Sequence, residues 1–432
     1  MGQITDYISR KHIKKIYINP LPTISKKEAI HIAAYSTKKQ FFGDGLEIKQ
    51  FENEFKQYTN NKYAISFAKA RIGLYTILQA LNIKQGDEVI LPAYTCVVVP
   101  NALRYHGIIP KYVDINPQTY NMNIEQVKKA ITKKTKAIIA HHIYGQPCDI
   151  AELQEIAKKH NLYLIEDAAQ SLGASYKNKK VGNFGDAAFF SFDYTKNITT
   201  GQGGMITTNN KDIYEKIFAI QQQYPFPSNK YIQCLLLNLT RIPILLDSSF
   251  NLIGEPLHYL TNIIDSKTLK IFTPSMTAEE MSAAMPAEYK SRLPNVLAMI
   301  GASQLKKLDI ITKARLKNSE YLTQELENLN ISTPKIAEDR THVFLRYTIR
   351  SRNNQETAAI FNKHQINLGL WFNNPLYPPA ANMERLLYTR GSCRQAELAS
   401  KQVINLPNHA KMTEEDLERV IQVIKKHKDK FM

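Results

Sequence analysis

Between residue 46 and about residue 215 the chain alternates two hydrophobic rhythms. Short apolar runs lie at 64–68, 88–92, 110–115, 137–142, 163–167 and 187–192, rich in β-branched and aromatic residues. They read as strands, and because they are nearly unbroken they predict burial on both sides. Between them, 95–106, 124–131 and 149–160 carry apolar residues at helical spacing, with Asn123 and Asp149 placed to cap the last two. Strand and helix in turn predict an α/β protein: a mainly parallel central sheet covered on both faces.

The rhythm breaks at 222–288. An apolar stretch at 231–246 is interrupted by Asn238 and Arg241, and a second follows at 257–264. Two readings fit: a helix pair packed on the body of the protein or on a partner subunit, or a segment lying on a membrane surface. Residues 301–322 read as one long helix. A smaller α+β unit follows, with a strand at 343–349 and helices at 355–364 and 413–427. Residues 1–25 carry no core pattern. The expected division is an N-terminal extension (1–25), a large domain (26–310) holding the insertion 222–288, and a small C-terminal domain (311–432). No internal repeat is present.

Composition narrows the function classes. With 44% hydrophobic residues in 432, a sizeable core is expected and wholesale disorder is excluded. The four cysteines, Cys96, Cys148, Cys234 and Cys393, form no CxxC pair. No metal site is expected from them, and free thiols in a reducing compartment fit best. The N-terminal stretch has no signal-peptide run, and Asp6 breaks the myristoylation pattern. With no apolar run long enough to span a bilayer, a cytoplasmic location is expected. The net charge of +17 favours anionic partners. It comes without aromatic-interleaved basic motifs, so no nucleic-acid partner is expected. A solvated basic surface, an anionic metabolite and a peripheral membrane contact through 222–288 remain as readings of the excess.

Two segments carry candidate chemistry. The strand Tyr163-Leu164-Ile165 runs into Glu166-Asp167-Ala168-Ala169-Gln170-Ser171. Ligands of open α/β sheets sit at the carboxyl ends of strands, so Asp167 can point into a site. It can equally cap a helix or face solvent. The run 187–192 leads to Asp193-Tyr194-Thr195-Lys196-Asn197 and then Thr200-Gly201-Gln202-Gly203-Gly204. A lysine just past a buried strand, if desolvated, is poised to form an imine; a lone loop lysine is more often solvated.

Together these segments resemble the DegT/DnrJ/StrS-type sugar-nucleotide aminotransferases, a family with the fold-type-I aspartate aminotransferase architecture. The resemblance extends to Phe51-Glu52-Asn53-Glu54-Phe55, Gly86-Asp87-Glu88-Val89-Ile90-Leu91-Pro92, Thr135-Lys136-Ala137-Ile138 and Tyr144-Gly145-Gln146-Pro147. It resumes at Arg292-Leu293-Pro294, Gln304-Leu305 and Leu406-Pro407. It covers roughly 40–220 and 289–425.

The resemblance implies a pyridoxal 5′-phosphate enzyme with a fold-type-I large domain and a smaller C-terminal α+β domain. It implies Lys196 as Schiff-base lysine and proton shuttle, and Asp167 on the pyridinium nitrogen. Ala169 is implied on the ring face, Gln170 on the phenolic oxygen, and Ser191 on the phosphate with backbone amides near Ala70 and Arg71. Members that dehydrate sugars carry histidine at the lysine position, so Lys196 implies transamination. The implied reaction moves an amino group from L-glutamate to a nucleotide-linked keto-sugar, at carbon 3 or 4, for surface polysaccharide or glycoconjugate synthesis. A homodimer is implied. Other pyridoxal phosphate chemistry, or a non-enzymatic partner- or membrane-binding role, are the alternatives.

Three departures stand out. The family's Ser-Gly-Thr phosphate turn is Lys69-Ala70-Arg71 here, and Ala tolerates positive φ less well than Gly. The ring-stacking position is Cys96, with Tyr94 as second candidate if the strand continues. The family's Asn that reaches the neighbouring subunit's phosphate is Lys290. His141, His142, Trp371 and Tyr377 are weaker candidates for the site wall.

Overall fold

The structure, a computed structural model, describes residues 15–18, 23–245 and 275–432. Seven strands form one sheet: β1 (Tyr63–Phe67), β2 (Glu88–Pro92), β3 (Ile109–Val113), β4 (Thr135–His141), β5 (Tyr163–Asp167), β6 (Ala187–Ser191) and β7 (Gly204–Thr208). Their spatial order is β1-β7-β6-β5-β4-β2-β3. The pairs from β6 through β3 are parallel, and β7 alone runs against both neighbours.

Alternation along each strand explains the unbroken apolar runs. Val89 and Leu91 point into one core with Ile165 and Phe189, while Ile90 points to the other face with Ile138 and Leu164. Ala188 and Phe190 join a third core built on Phe51 and Phe55. The rings of Phe55 and Phe190 meet edge-on at 5.1 Å, which adds roughly 0.5–1.5 kcal/mol to their burial. The same alternation separates the two adjacent acids of β5. Glu166 is fully buried, where its carboxylate accepts the N–H groups of Gly182, Phe184 and Gly185, each at 2.7 Å, and faces His142 Nε2 at 3.1 Å. Asp167 takes the other side, at the strand's open end.

Several elements differ from the expected pattern. Thr95–Cys96 is a short parallel strand against Leu376–Tyr377, and the helix after it is only Val98–Arg104. The long helix at 301–322 is two helices, Asn295–Leu305 and Leu308–Asn328, broken at Lys306-Lys307. Asn123 caps its helix through Gln126 N–H as expected, but Asp149 makes no side-chain cap and pairs with Arg340 at 2.8 Å. Within 1–25, Ile16 bridges Ile366 and Ile24 lies in the core, so described parts of that segment are built into the fold.

Of the segment 222–288, the helix Asn229–Leu245 buries Ile232, Leu235, Leu236 and Leu239 and packs against the helix Lys26–Tyr35. Each such side chain contributes about 1.5–3 kcal/mol, so internal packing accounts for these four apolar residues. The run 257–264 lies outside the described residues. At the C-terminal end, β8 (Tyr347–Arg350) pairs antiparallel with β9 (Val403–Leu406) over a core that includes Phe361, Val420 and Ile424. Among the described residues no helix is long and apolar enough to cross a membrane.

Candidate active site

A cavity of about 260 Å³ opens where the carboxyl ends of β4, β5 and β6 meet the start of the helix Ala70–Ala80. Its walls include Lys196, Asp167, Ala169, Gln170, Ser191 and Cys96. Residues from both sequence segments singled out for chemistry therefore share one enclosure.

The first end of the cavity is built by strand termini. Asp167 closes β5, and its Oδ1 accepts the Ala169 N–H at 3.1 Å. His141 closes β4 with Nε2 4.0 Å from Asp167 Oδ2 and 3.4 Å from Gln170 Nε2. Burial lowers the His141 pKa although Asp167 pulls it up, so the ring stays neutral. Gln170 Oε1 accepts the Tyr144 N–H at 2.9 Å, which fixes the amide. Lys196 follows β6 in a tight turn, its N–H donating to Asp193 O at 3.0 Å. Desolvation draws the Lys196 amine below its ordinary pKa, with Asp193 and Asp167 acting in the opposite direction. An amine so placed reaches its neutral, nucleophilic form more readily than a solvated lysine.

The second end is cationic. The helix Ala70–Ala80 begins without any side-chain cap, and Lys69, Ala70 and Arg71 all line the cavity. Ala70 sits within the helix, outside the left-handed region, so this turn does not need a glycine's freedom. Gly204 supplies the close approach instead: a Cβ there would lie 2.4 Å from the backbone nitrogen of Ala70. Arg71 is engaged, with Nη1 on Glu280 Oε1 at 2.6 Å and Nη2 on the Ser275 carbonyl at 2.7 Å. Ser275 in turn donates to both carboxylate oxygens of Asp193, at 3.1 and 2.9 Å. Lys69 lies 5.8 Å from the centre of the Tyr231 ring, and its pKa falls to about 8 through burial and the neighbouring Arg71. Tyr231 donates to Gln202, another wall residue. Ser191 Oγ accepts the Asp193 N–H at 3.4 Å.

The remaining candidates divide. Cys96, Trp371 and Tyr377 line the cavity, and Cys96 sits 3.9 Å from the Met276 sulfur. Tyr94 does not line it: β2 ends at Pro92, and Tyr94 is wholly buried, its hydroxyl exchanging hydrogen bonds with the Phe372 backbone. His142 is likewise turned to Glu166. Lys290 lies outside this chain's cavity, over the Tyr75 ring at 5.1 Å.

Sequence reasoning missed Ser275, Glu280 and Arg346. Glu280 had a signal, since Thr277 and Glu280 form a capping box that marks a helix start. Arg346 had another: a charge inside the apolar run Val343-Phe344-Leu345-Arg346-Tyr347.

The chain matches the DegT/DnrJ/EryC1/StrS aminotransferase family over residues 22–229 and 265–425. It is 32% identical to an uncharacterized protein of Methanocaldococcus jannaschii, over 96% of this chain and 98% of that one. It is also 32% identical to the GDP-perosamine synthase of Caulobacter vibrioides, over 88% and 90% respectively. In fold it resembles a DegT DnrJ EryC1 StrS aminotransferase from Brucella abortus, with a TM-score of 0.72 at 20% identity, covering 92% of this chain and 94% of that one.

Proposed function

The chain belongs to the DegT/DnrJ/EryC1/StrS aminotransferase family, and we propose that it transfers an amino group from L-glutamate to a nucleotide-linked keto-sugar for surface polysaccharide or glycoconjugate synthesis. The observation that carries this reading is Lys196 desolvated in the same cavity as Asp167 and an uncapped, cationic helix start. Those groups fit pyridoxal 5′-phosphate: an amine for its aldehyde, a carboxylate for its ring nitrogen and a positive end for its phosphate. When bound, that cofactor supplies an aldehyde for amine exchange and a ring that stores an electron pair.

The chain's own groups then have distinct tasks. Lys196 Nζ would hold the cofactor and would be the chain's group for taking up and returning the proton moved in the exchange. Asp167 would keep a proton on the ring nitrogen, its carboxylate fixed by the Ala169 N–H. Gln170 approaches the ring's oxygen side, and Ala169 leaves room for the ring face. Ser191, Lys69 and the first N–H groups of the helix Ala70–Ala80 receive the phosphate. Two homologues named for GDP- and dTDP-linked sugars, and a net charge of +17, favour an anionic nucleotide-sugar. In a homodimer, Lys290 would serve the partner's phosphate rather than its own.

A panel of 3-keto and 4-keto sugar nucleotides, each incubated with L-glutamate and the cofactor-loaded protein, tests this. A product mass matching replacement of one carbonyl oxygen by an amine is expected for at least one. Glutamate-dependent amination of added 2-oxo acids, with every keto-sugar unchanged, would instead assign the site to amino-acid chemistry.

A further inference from the structure

Among the described residues, the cavity wall holds four lysines and arginines, Lys69, Arg71, Lys196 and Arg346, and two carboxylates, Asp167 and Asp193. Arg71 is met by Glu280. Two carboxylates are therefore left for three basic groups, and the task of Asp193 is open.

Asp193 is fixed from both sides. Its carbonyl accepts the Lys196 N–H at 3.0 Å, and its own N–H donates to Ser191 Oγ at 3.4 Å. Its two carboxylate oxygens accept Ser275 Oγ, at 3.1 and 2.9 Å, from a segment 82 residues further along the chain. One tight turn thus brings an amine and a carboxylate into the same enclosure, and Ser275 holds the carboxylate there.

The other groups around Lys196 leave room for this pairing. Burial opposes charge on the amine, Arg346 adds to that opposition, and Asp193 leads the charges that favour it, ahead of Asp167. Burial raises the Cys96 pKa and lowers that of His141, so thiol and ring both stay neutral. In the reading above, Asp167 is committed to the ring nitrogen. When Nζ takes up the proton it moves, it becomes an ammonium, and a buried ammonium without a counter-charge is costly. Asp193 is the wall carboxylate left to meet it.

We propose that Asp193 is a positioning residue, the counter-charge that lets Lys196 Nζ carry a proton, held in place by Ser275. The inference rests on the transamination reading above and deepens it by dividing the two wall carboxylates between the ring nitrogen and the amine.

Trace acylation of the cofactor-free protein by acetic anhydride across pH, read by peptide mass, gives the pH at which half of the Lys196 amine is neutral. Exposed lysines in the same digest serve as the reference. Asp193→Asn keeps an oxygen for Ser275 and removes only the charge. In it the Lys196 midpoint is expected to fall by about one pH unit or more, with the reference lysines unmoved. Asp193→Glu should return the midpoint toward wild type. An unchanged or raised midpoint, or an equal shift in the reference lysines, overturns the proposal. With cofactor bound, the pH midpoint of the absorbance near about 420 nm reads the proton on the same nitrogen. It should also fall in Asp193→Asn, and a fall confined to the cofactor-free protein overturns the proposal. In turnover, kcat of the glutamate half-reaction should drop about tenfold, with KM within about twofold of wild type. A loss confined to the KM of the keto-sugar would assign Asp193 to sugar hydroxyls and overturn the counter-charge. A shifted midpoint in a protein that aminates no keto-sugar would count against the sugar reading, not against the counter-charge.

Discussion

The two ends of the cavity hold their charged groups by different means. At the Lys196 end, Asp167, His141 and Ser191 are strand termini, set side by side because β4, β5 and β6 are parallel neighbours. At the Lys69 end, the helix start is local but its charge balance is not: Arg71 depends on Glu280, 209 residues away. The first end is fixed by sheet topology and the second by a tertiary ion pair. Damage at the first should therefore remove chemistry and spare the fold, whereas damage at the second should loosen the fold or the grip on an anion.

The sharpest break is Lys196→Ala. It should lower glutamate-dependent 2-oxoglutarate formation by at least about 10⁴-fold, and erase the absorbance near about 420 nm expected of the cofactor-bound protein. Its melting temperature without cofactor should stay at the wild-type value or above, since a desolvated amine is removed. Activity within tenfold of wild type would show that the amine end is not where chemistry occurs.

Glu280→Gln probes the other end. The pair is buried, with side chains 11% and 1% exposed, so Arg71 would be left uncompensated. A stability loss of about 3 kcal/mol is expected in denaturant unfolding. Burial raises the Glu280 pKa, but Arg71 and Lys69 outweigh it and the net shift is downward. A lowered carboxylate pKa contributes stability that is present above the ordinary carboxylate range and disappears as pH falls through the folded value. The wild type should therefore lose more stability on acidification than Glu280→Gln; parallel acid profiles would dissolve the distinction between the two ends.

The smallest effect concerns Lys69. Its charge is present below about pH 8 and is lost above. In a Lys196→Ala background, where no covalent bond masks the contacts, the cofactor's dissociation constant should rise roughly tenfold between pH 7 and pH 9. Lys69→Met should flatten that rise. A rise of equal size in both would move the phosphate's cation elsewhere.

What could be read from sequence follows the same division. Asp167, Ser191 and Lys196 were legible because each closes or follows a short buried strand, and such runs mark themselves by composition. Lys69 and Arg71 were legible as a departure, but not which of them is engaged, because Glu280 and Ser275 come from a distant segment without periodic signal. Tyr94 misled because strand alternation was extended past Pro92, where β2 has already ended. Ile16 and Ile24 were missed because short apolar runs in a polar stretch carry no rhythm, yet a finished core accepts them. The break at Lys306-Lys307 was invisible because both halves share helical spacing.

Gly204 bears on what the cavity can admit. It stands at the far side of the turn that carries Lys196, and its main chain rests directly on the start of the helix that carries Lys69 and Arg71. Nothing adjustable lies between them, since even one added carbon would collide with the Ala70 backbone. The spacing between that turn and the helix start is therefore set by main chain against main chain, like the fixed jaws of a gauge. Side chains around it can change what a guest is made of, but how long it may be is decided by the scaffold.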